Sequence, residues 1–144
     1  MIVVDTNILV YAYRNESPFH VIDIALIRKL AEGSSNWGIT WPSVHEFIGV
    51  VTNSKIFKTD TGPELAFQQL SAWHSSGRHQ FLGETSEHLD VFQALATAGN
   101  IKGAQIHDAR IAAICLQHGV TELWTADRDF SRFPKLKTRN PLVG

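Results

Sequence analysis

Ile2-Val3-Val4 opens the chain as a short β-branched run that stops at Asp5, the pattern of a brief buried strand. From Asn7 to Tyr13 the character turns helical, and it breaks near Asn15. Four further helical stretches are each closed by a glycine: Ser17-Pro18 to Gly33, Pro63 to Gly77, Ser86 to Gly99 and His107 to Gly119. Ser17 is the expected cap of the first and Pro18 its first helical residue. Glycine suits such stops because it enters the left-handed turn after a helix without a Cβ clash. Trp37 to Thr40, Gln80 to Leu82 and Val120 to Trp124 are apolar runs of strand length between turn residues. Pro42 to Thr52 predicts another helix, with Val44, Phe47, Ile48 and Val51 on one core-facing stripe.

Strands alternating with helices predict an α/β domain with a mainly parallel central sheet, because helical crossovers join parallel neighbours. With no repeat, linker or low-complexity tract, residues 1–144 read as a single domain. In open sheets of this class the ligand site lies beyond the carboxyl ends of the strands. That rule sorts the fourteen acids. Asp5 follows the first strand, Glu46 lies in the first turns of the helix after Thr40, Asp108 opens the helix ending at Gly119, and Asp127 comes just after Trp124. Glu84 and Asp129 also qualify, whereas Asp23, Glu32, Asp90 and Glu122 fall in helix bodies or at the opposite ends.

Carboxylates gathered in a partly dry cleft repel one another, and a bound cation relieves that cost. Oxygen donors point to a hard ion, Mg²⁺ with Mn²⁺ as its substitute. Taken singly, each acid has another reading. Asp5 and Asp108 could cap helices or complement their dipoles, Glu46 could lie on a solvated face, and Asp127 could be a turn residue.

Composition changes this picture little. The apolar and charged fractions, 44% and 19%, are those of a water-soluble globular protein, and no run is long enough to span a bilayer. The start MIVVDTN lacks the features of a signal peptide, so a cytoplasmic location is expected. A net charge of -1 gives no global attraction for a polyanion. Local charge differs, since five of the 13 lysines and arginines fall between Arg128 and Arg139. A solvated face is one reading of that run, and Arg128 and Arg132 as contacts to RNA phosphates is the other. The lone Cys115 lies in an apolar helical setting and is read as a small hydrophobe.

Four segments carry a family resemblance: Val4-Asp5-Thr6-Asn7, Pro42-Ser43-Val44-His45-Glu46, His107-Asp108-Ala109-Arg110-Ile111-Ala112-Ala113, and Trp124-Thr125-Ala126-Asp127-Arg128-Asp129-Phe130. In order and spacing they resemble PIN-domain ribonucleases of the VapC toxin branch. The resemblance implies a three-layer α/β/α fold and metal-dependent cleavage of RNA, with Asp5, Glu46, Asp108 and Asp127 as the acidic metal site. It implies supporting roles for Thr6, Asn7 and Thr125, and leaves Asp129 as either a second-metal residue or a hydrogen-bond acceptor. It further implies 5′-phosphate and 3′-hydroxyl products, a homodimer, and a cognate VapB-type antitoxin.

His45 and His107 each precede one of these acids, but neighbouring residues on a helix point about 100° apart and need not share a cleft. The aromatic residues are read as core or partner contacts. Between Phe19 and Glu32 the projection places Phe19, Ile22, Leu26 and Leu30 on one stripe, with Val21, Ile24, Ala25 and Ile27 spreading apolar surface beyond it. That surplus is either buried within the domain or, as the resemblance suggests, meets an antitoxin with Ile24 and Ile27 in the contact.

Overall fold

A computed structural model describes residues 1–57 and 62–143. In chain order it contains β1 (Ile2–Val4), α1 (Thr6–Tyr13), α2 (His20–Glu32), β2 (Trp37–Thr40), α3 (Trp41–Val51), α4 (Pro63–His74), β3 (His79–Leu82), α5 (His88–Ala98), α6 (Ile106–Gln117), β4 (Glu122–Trp124) and β5 (Thr138–Arg139). Short 3-10 turns lie at Gly103–Gln105 and Arg128–Arg132. The five strands form one sheet in the order β3-β2-β1-β4-β5, and every pairing is parallel.

Side-chain alternation divides the sheet between two cores. Val4, Trp124, Trp37 and Ile39 face one side, where they pack with Ile8 and Leu9 of α1, Ile27 of α2, Phe47 of α3 and Leu70 of α4. Val3, Leu123 and Leu82 face the other, against Ala109, Ala112 and Ile114 of α6 and against Phe130, Phe133 and Leu136. This is the expected three-layer α/β/α arrangement. None of its described helices is long and apolar enough to cross a membrane.

The sheet is wholly parallel, where a mainly parallel one was expected. β5 escaped the sequence pattern because it is two polar residues long. Backbone bonds hold it, with Leu123 N–H donating to Lys137 O and Thr125 N–H to Arg139 O, each at 2.9 Å.

Three local expectations need correction. Helix α2 starts at His20, later than Pro18, because Ser17 Oγ accepts the Phe19 N–H at 3.1 Å and closes a turn instead of capping a helix. Of the four closing glycines, only Gly77 and Gly119 take a positive φ, 85° and 62°. After α5 the left-handed residue is Asn100 (φ 49°), one of the few side chains that tolerates it.

The third correction concerns the buried stripe of α2, which is Asp23, Ile27 and Leu30. The His20 ring, 2.9 Å from Tyr11 O, anchors the first turn on α1 and leaves Val21 and Ile22 outward, 78% and 51% exposed. Ile27 therefore faces the protein's own core and does not belong to a partner surface.

Asp23 is fully buried, and neither of its carboxylate oxygens has a hydrogen-bond partner among the described residues. Burial pushes its carboxyl up from 3.8 to about 8. The unfolded chain releases this proton near the ordinary value while the folded chain keeps it. Stability should therefore be full below about pH 4 and fall as pH rises toward 8. Asp23→Leu should flatten that decline and stabilise the protein by about 1–3 kcal/mol above pH 8. Denaturant unfolding at pH 5, 7 and 9 checks this, and equal destabilisation by the leucine at all three would contradict it.

Candidate functional site

In the strand order β3-β2-β1-β4-β5 the chain reverses direction across the sheet between β1 and β4. Asp5 and Asp127 emerge beside this switch point, where crossover segments leave for opposite faces and open a crevice. Asp5 extends the β1–β4 ladder, its N–H donating to Trp124 O at 2.9 Å. It is also the N-cap of α1: Oδ1 accepts the Thr6 N–H at 2.8 Å. The capping reading and the site reading thus hold for the same residue.

Thr125 ties two acids together. Its Oγ1 donates to Asp5 Oδ2 at 2.7 Å and accepts the Asp127 N–H at 3.0 Å. Asn7 Oδ1 accepts the Ala126 N–H at 3.2 Å and fixes the same loop to α1. Asp127 Oδ1 in turn accepts the Asp129 N–H at 2.9 Å, so Asp127 is a turn residue as well.

Asp108 sits in the first turn of α6, and Glu46 projects from α3 on the side away from its buried Val44, Phe47 and Val51. Asp5, Glu46, Asp108 and Asp127 all line one cavity of about 200 Å³, together with Thr6 and Asn7. Carboxylate oxygens of Asp108, Asp127 and Asp129 lie within 4.8 Å of one another. Asp129 therefore joins the cluster more closely than its sequence position suggested.

The charges oppose one another. Burial pushes the Asp5 carboxyl up from 3.8 to about 6, against the pull of its bonds from Thr125 and Thr6, with Glu46 and Asp108 adding repulsion. Asp108 is also raised to about 6, first by burial and then by Asp127, Asp129 and Glu46. Thr6 Oγ1 is buried at the same cavity without a hydrogen-bond partner among the described residues. An all-oxygen donor set with excess negative charge and a spare hydroxyl fits a hard divalent cation.

The candidate Glu84 lies outside this cavity, as do Glu122 and Cys115, which the sequence sets aside. Glu84 Oε1 accepts from Arg110 Nε at 2.5 Å, and that bond holds its carboxyl below the usual range. Glu122 accepts from the Trp124 indole at 2.8 Å and lies 3.4 Å from Lys137. Burial pushes the Cys115 thiol up to about 12, which suits a packing residue and not a nucleophile.

His45 and His107 line an adjoining cavity of about 330 Å³ that shares Glu46 and Ile111 with the acidic one. On the other flank a cavity of about 410 Å³ contains Asp127, Arg128 and Arg139. Arg132 lies apart from Arg128, 3.9 Å from Asp129 and lining a groove on α5 with Lys135. Arg110 was missed as a site neighbour because its position on α6, two residues after Asp108, does not itself reveal which cavity it borders.

The PIN domain family matches residues 2–136. Ribonuclease VapC43 of Mycobacterium tuberculosis is 35% identical over 144 residues, covering 100% of this chain and 97% of that protein. The fold resembles FitAcB from Neisseria gonorrhoeae (TM-score 0.71, 19% identity, 100% of both chains). It also resembles VapBC2 from Rickettsia felis bound to a promoter DNA fragment (TM-score 0.66, 22% identity, 96% of this chain and 98% of that one). The chain belongs to the PIN domain family, and within it to the VapC ribonucleases.

The crowding of acids has a consequence for the metal-free protein. The unfolded chain loses these protons near 3.8, whereas folded Asp5 and Asp108 hold theirs to about 6. Stability should therefore drop as pH rises across that window. Asp108→Asn should raise the melting temperature by about 3 °C at pH 7 and leave it unchanged near pH 4. Added Mg²⁺ should narrow the gap at pH 7 by stabilising the wild type more. Thermal melts with chelator and with Mg²⁺ check both statements.

Proposed function

We propose that this chain is the toxic component of a type II toxin–antitoxin system, an endoribonuclease dependent on Mg²⁺ or Mn²⁺ that hydrolyses RNA phosphodiester bonds. The observation that carries the reading is the meeting of Asp5, Glu46, Asp108 and Asp127 around one cavity at the sheet's switch point. Full-length likeness to a named ribonuclease supports RNA as the substrate class. Likeness to VapBC2 supports a VapB-type antitoxin as partner. A homodimer and a cytoplasmic location belong to the same reading.

Asp5, Asp108 and Asp127 would hold the cation, with Asp129 close enough to assist through the Asp108–Asp127 trio. The bound ion would supply charge to polarise the phosphate and acidify a water. Thr125 and the Thr6 backbone occupy one side of each Asp5 oxygen and so orient the carboxylate toward the cavity. Glu46, on the exposed rim, would accept the attacking water's proton or hold a metal-bound water. Arg128, on the Asp127 flank, would take a phosphate of the strand.

The antitoxin reading rests on α2. Phe19, Val21 and Ile22 are exposed, and the Phe19 ring lies 5.3 Å from that of Tyr11, which borders the acidic cavity. An apolar strip leading to an acidic cleft suits a partner segment that carries apolar side chains and a basic one.

Asp5→Asn and Asp108→Asn should reduce RNA cleavage and growth inhibition to background while the proteins stay folded. Chelation should silence the wild type, and added Mg²⁺ or Mn²⁺ should restore it. Parallel assays on RNA and single-stranded DNA test the substrate class, and wild-type cleavage by Asp5→Asn would remove the site assignment.

In RNA binding, Arg128→Ala should lower the slope of log affinity against log salt by about one. Arg132→Ala should lower it less, because Arg132 is drawn to Asp129. Ile22→Asp should weaken co-purification of the antitoxin encoded beside this gene without loss of cleavage, in contrast to Ile27→Asp, which should unfold the chain.

A further inference from the structure

Trp41 is the first residue of α3 and keeps 44% of its surface in solvent, whereas Trp37 is fully buried and Trp73 and Trp124 are each 7% exposed. Its ring stacks on Phe81 with centroids 4.6 Å apart and 27° between the planes. Phe81 stacks in turn on His74, at 4.7 Å and 29°. The column stands on β3, an edge strand. Gly83 closes one edge of the indole, since a Cβ there would lie 3.2 Å from Trp41 Cδ1. With one face covered by Phe81, the exposed surface is the opposite face and the remaining edge.

A fixed cation lines the cavity that includes Pro42, the residue after Trp41. Glu84, next to Gly83, accepts from Arg110 Nε, which pins the guanidinium and leaves both Nη groups without a hydrogen bond among the described residues. Arg110 lines the cavity of about 330 Å³ that also contains His45 and His107 and shares Glu46 with the acidic cavity. Through Pro42 the Trp41 position adjoins the Arg110 cavity, and that cavity meets the acidic one at Glu46.

We infer that Trp41 is a stacking platform for an unpaired nucleobase of the RNA strand flanking the cleaved bond, with Arg110 holding the intervening phosphate. The inference rests on the ribonuclease reading and deepens it. Unpaired bases are recognised by aromatic faces and their phosphates by guanidinium groups, whereas bases in a duplex are already stacked. The surroundings favour nucleic acid over protein. Trp41 is followed by Pro42, which lines a cavity with Arg110 and two histidines, whereas the exposed Val21, Ile22, Leu65, Phe67 and Leu89 stand on other helices, α2, α4 and α5. Selectivity for unpaired RNA follows.

The test uses the full chain carrying Asp108→Asn, with Mg²⁺ present, and a short mixed-sequence single-stranded RNA. Binding should quench tryptophan fluorescence, and Trp41→Ala should weaken affinity about tenfold and remove most of the quenching. Trp41→Leu, which keeps apolar cover over Phe81, should lose as much, and Trp41→Phe should retain most of the affinity. Arg110→Gln should reduce the salt slope by about one. With Asp108 restored, Trp41→Leu should raise KM more than it lowers kcat.

A protein that cleaves RNA yet shows no quenching, with unchanged affinity in both Trp41→Ala and Trp41→Leu, overturns the subsite and leaves the ribonuclease reading intact. Dissociation of a dimer or of the antitoxin by Trp41→Leu, at unchanged RNA affinity, also overturns it and assigns the ring to a protein contact. If the wild type neither binds nor cleaves RNA with Mg²⁺ or Mn²⁺, the reading itself fails and the subsite with it.

Discussion

The hydrogen bond from Thr125 Oγ1 to Asp5 Oδ2 joins residues 120 apart in sequence, and the geometry of the acidic crevice depends on it. β1 and β4 lie side by side because Val3 pairs with Leu123 and Val4 with Trp124. One residue further on, the two strands end together, and the ladder's continuation delivers Asp5 and Thr125 to the same edge. A hydroxyl suits position 125 because it donates to a carboxylate and accepts the Asp127 N–H at once. Valine would fill the space and do neither. A bond to a charged acceptor contributes about 1.5–3 kcal/mol, and here it also opposes the burial that pushes Asp5 upward.

That local order has to withstand repulsion among the acids, and the resistance comes from apolar packing on both faces of the sheet. Helix α6 buries Ala109, Ile111, Ala112, Ala113, Ile114 and Cys115, so Asp108 is presented from a helix that cannot easily retreat. Helix α3 buries Val44, Phe47 and Val51 and so directs Glu46 outward on the opposing wall. Asp108 experiences Asp127, Asp129 and Glu46 together, which makes it the electrostatic hub of the crevice. The two cores hold carboxylates at separations that free side chains in water would not keep.

The periodicity that locates the core also locates the strand ends, which is why Asp5, Glu46, Asp108 and Asp127 are legible as neighbours in the sequence. Less legible was whatever depends on rotation about a helix axis or on distant backbone. Asp23 occupies a core-facing position on α2, which a hydrophobic projection passes over because it searches for apolar residues. β5 carries no apolar pattern and exists through backbone bonds to β4. In sequence Asp129 is either a second-metal residue or a hydrogen-bond acceptor, and the bond from its N–H to Asp127 accompanies the placement of its carboxylate beside those of Asp108 and Asp127.

A net charge of -1 need not count against an RNA substrate, because screening limits each charge's reach to about 8 Å and local arrangement then matters more than the total. The basic run that looked like one patch in sequence divides in space. Arg128 and Arg139 border the acidic cavity through Asp127, while Arg132 and Lys135 line the groove on α5. Arg110 stands on the opposite flank, beside Glu46. Across the crevice the order is therefore cation, carboxylates, cation. A polyanion that repelled the bare carboxylates would be held on both sides of them, and divalent ions bound between would turn the middle from repulsive to attractive. On the proposed reading, metal loading and strand binding would be coupled through the same carboxylates, and a nearly neutral chain would present a surface suited to RNA only at the crevice.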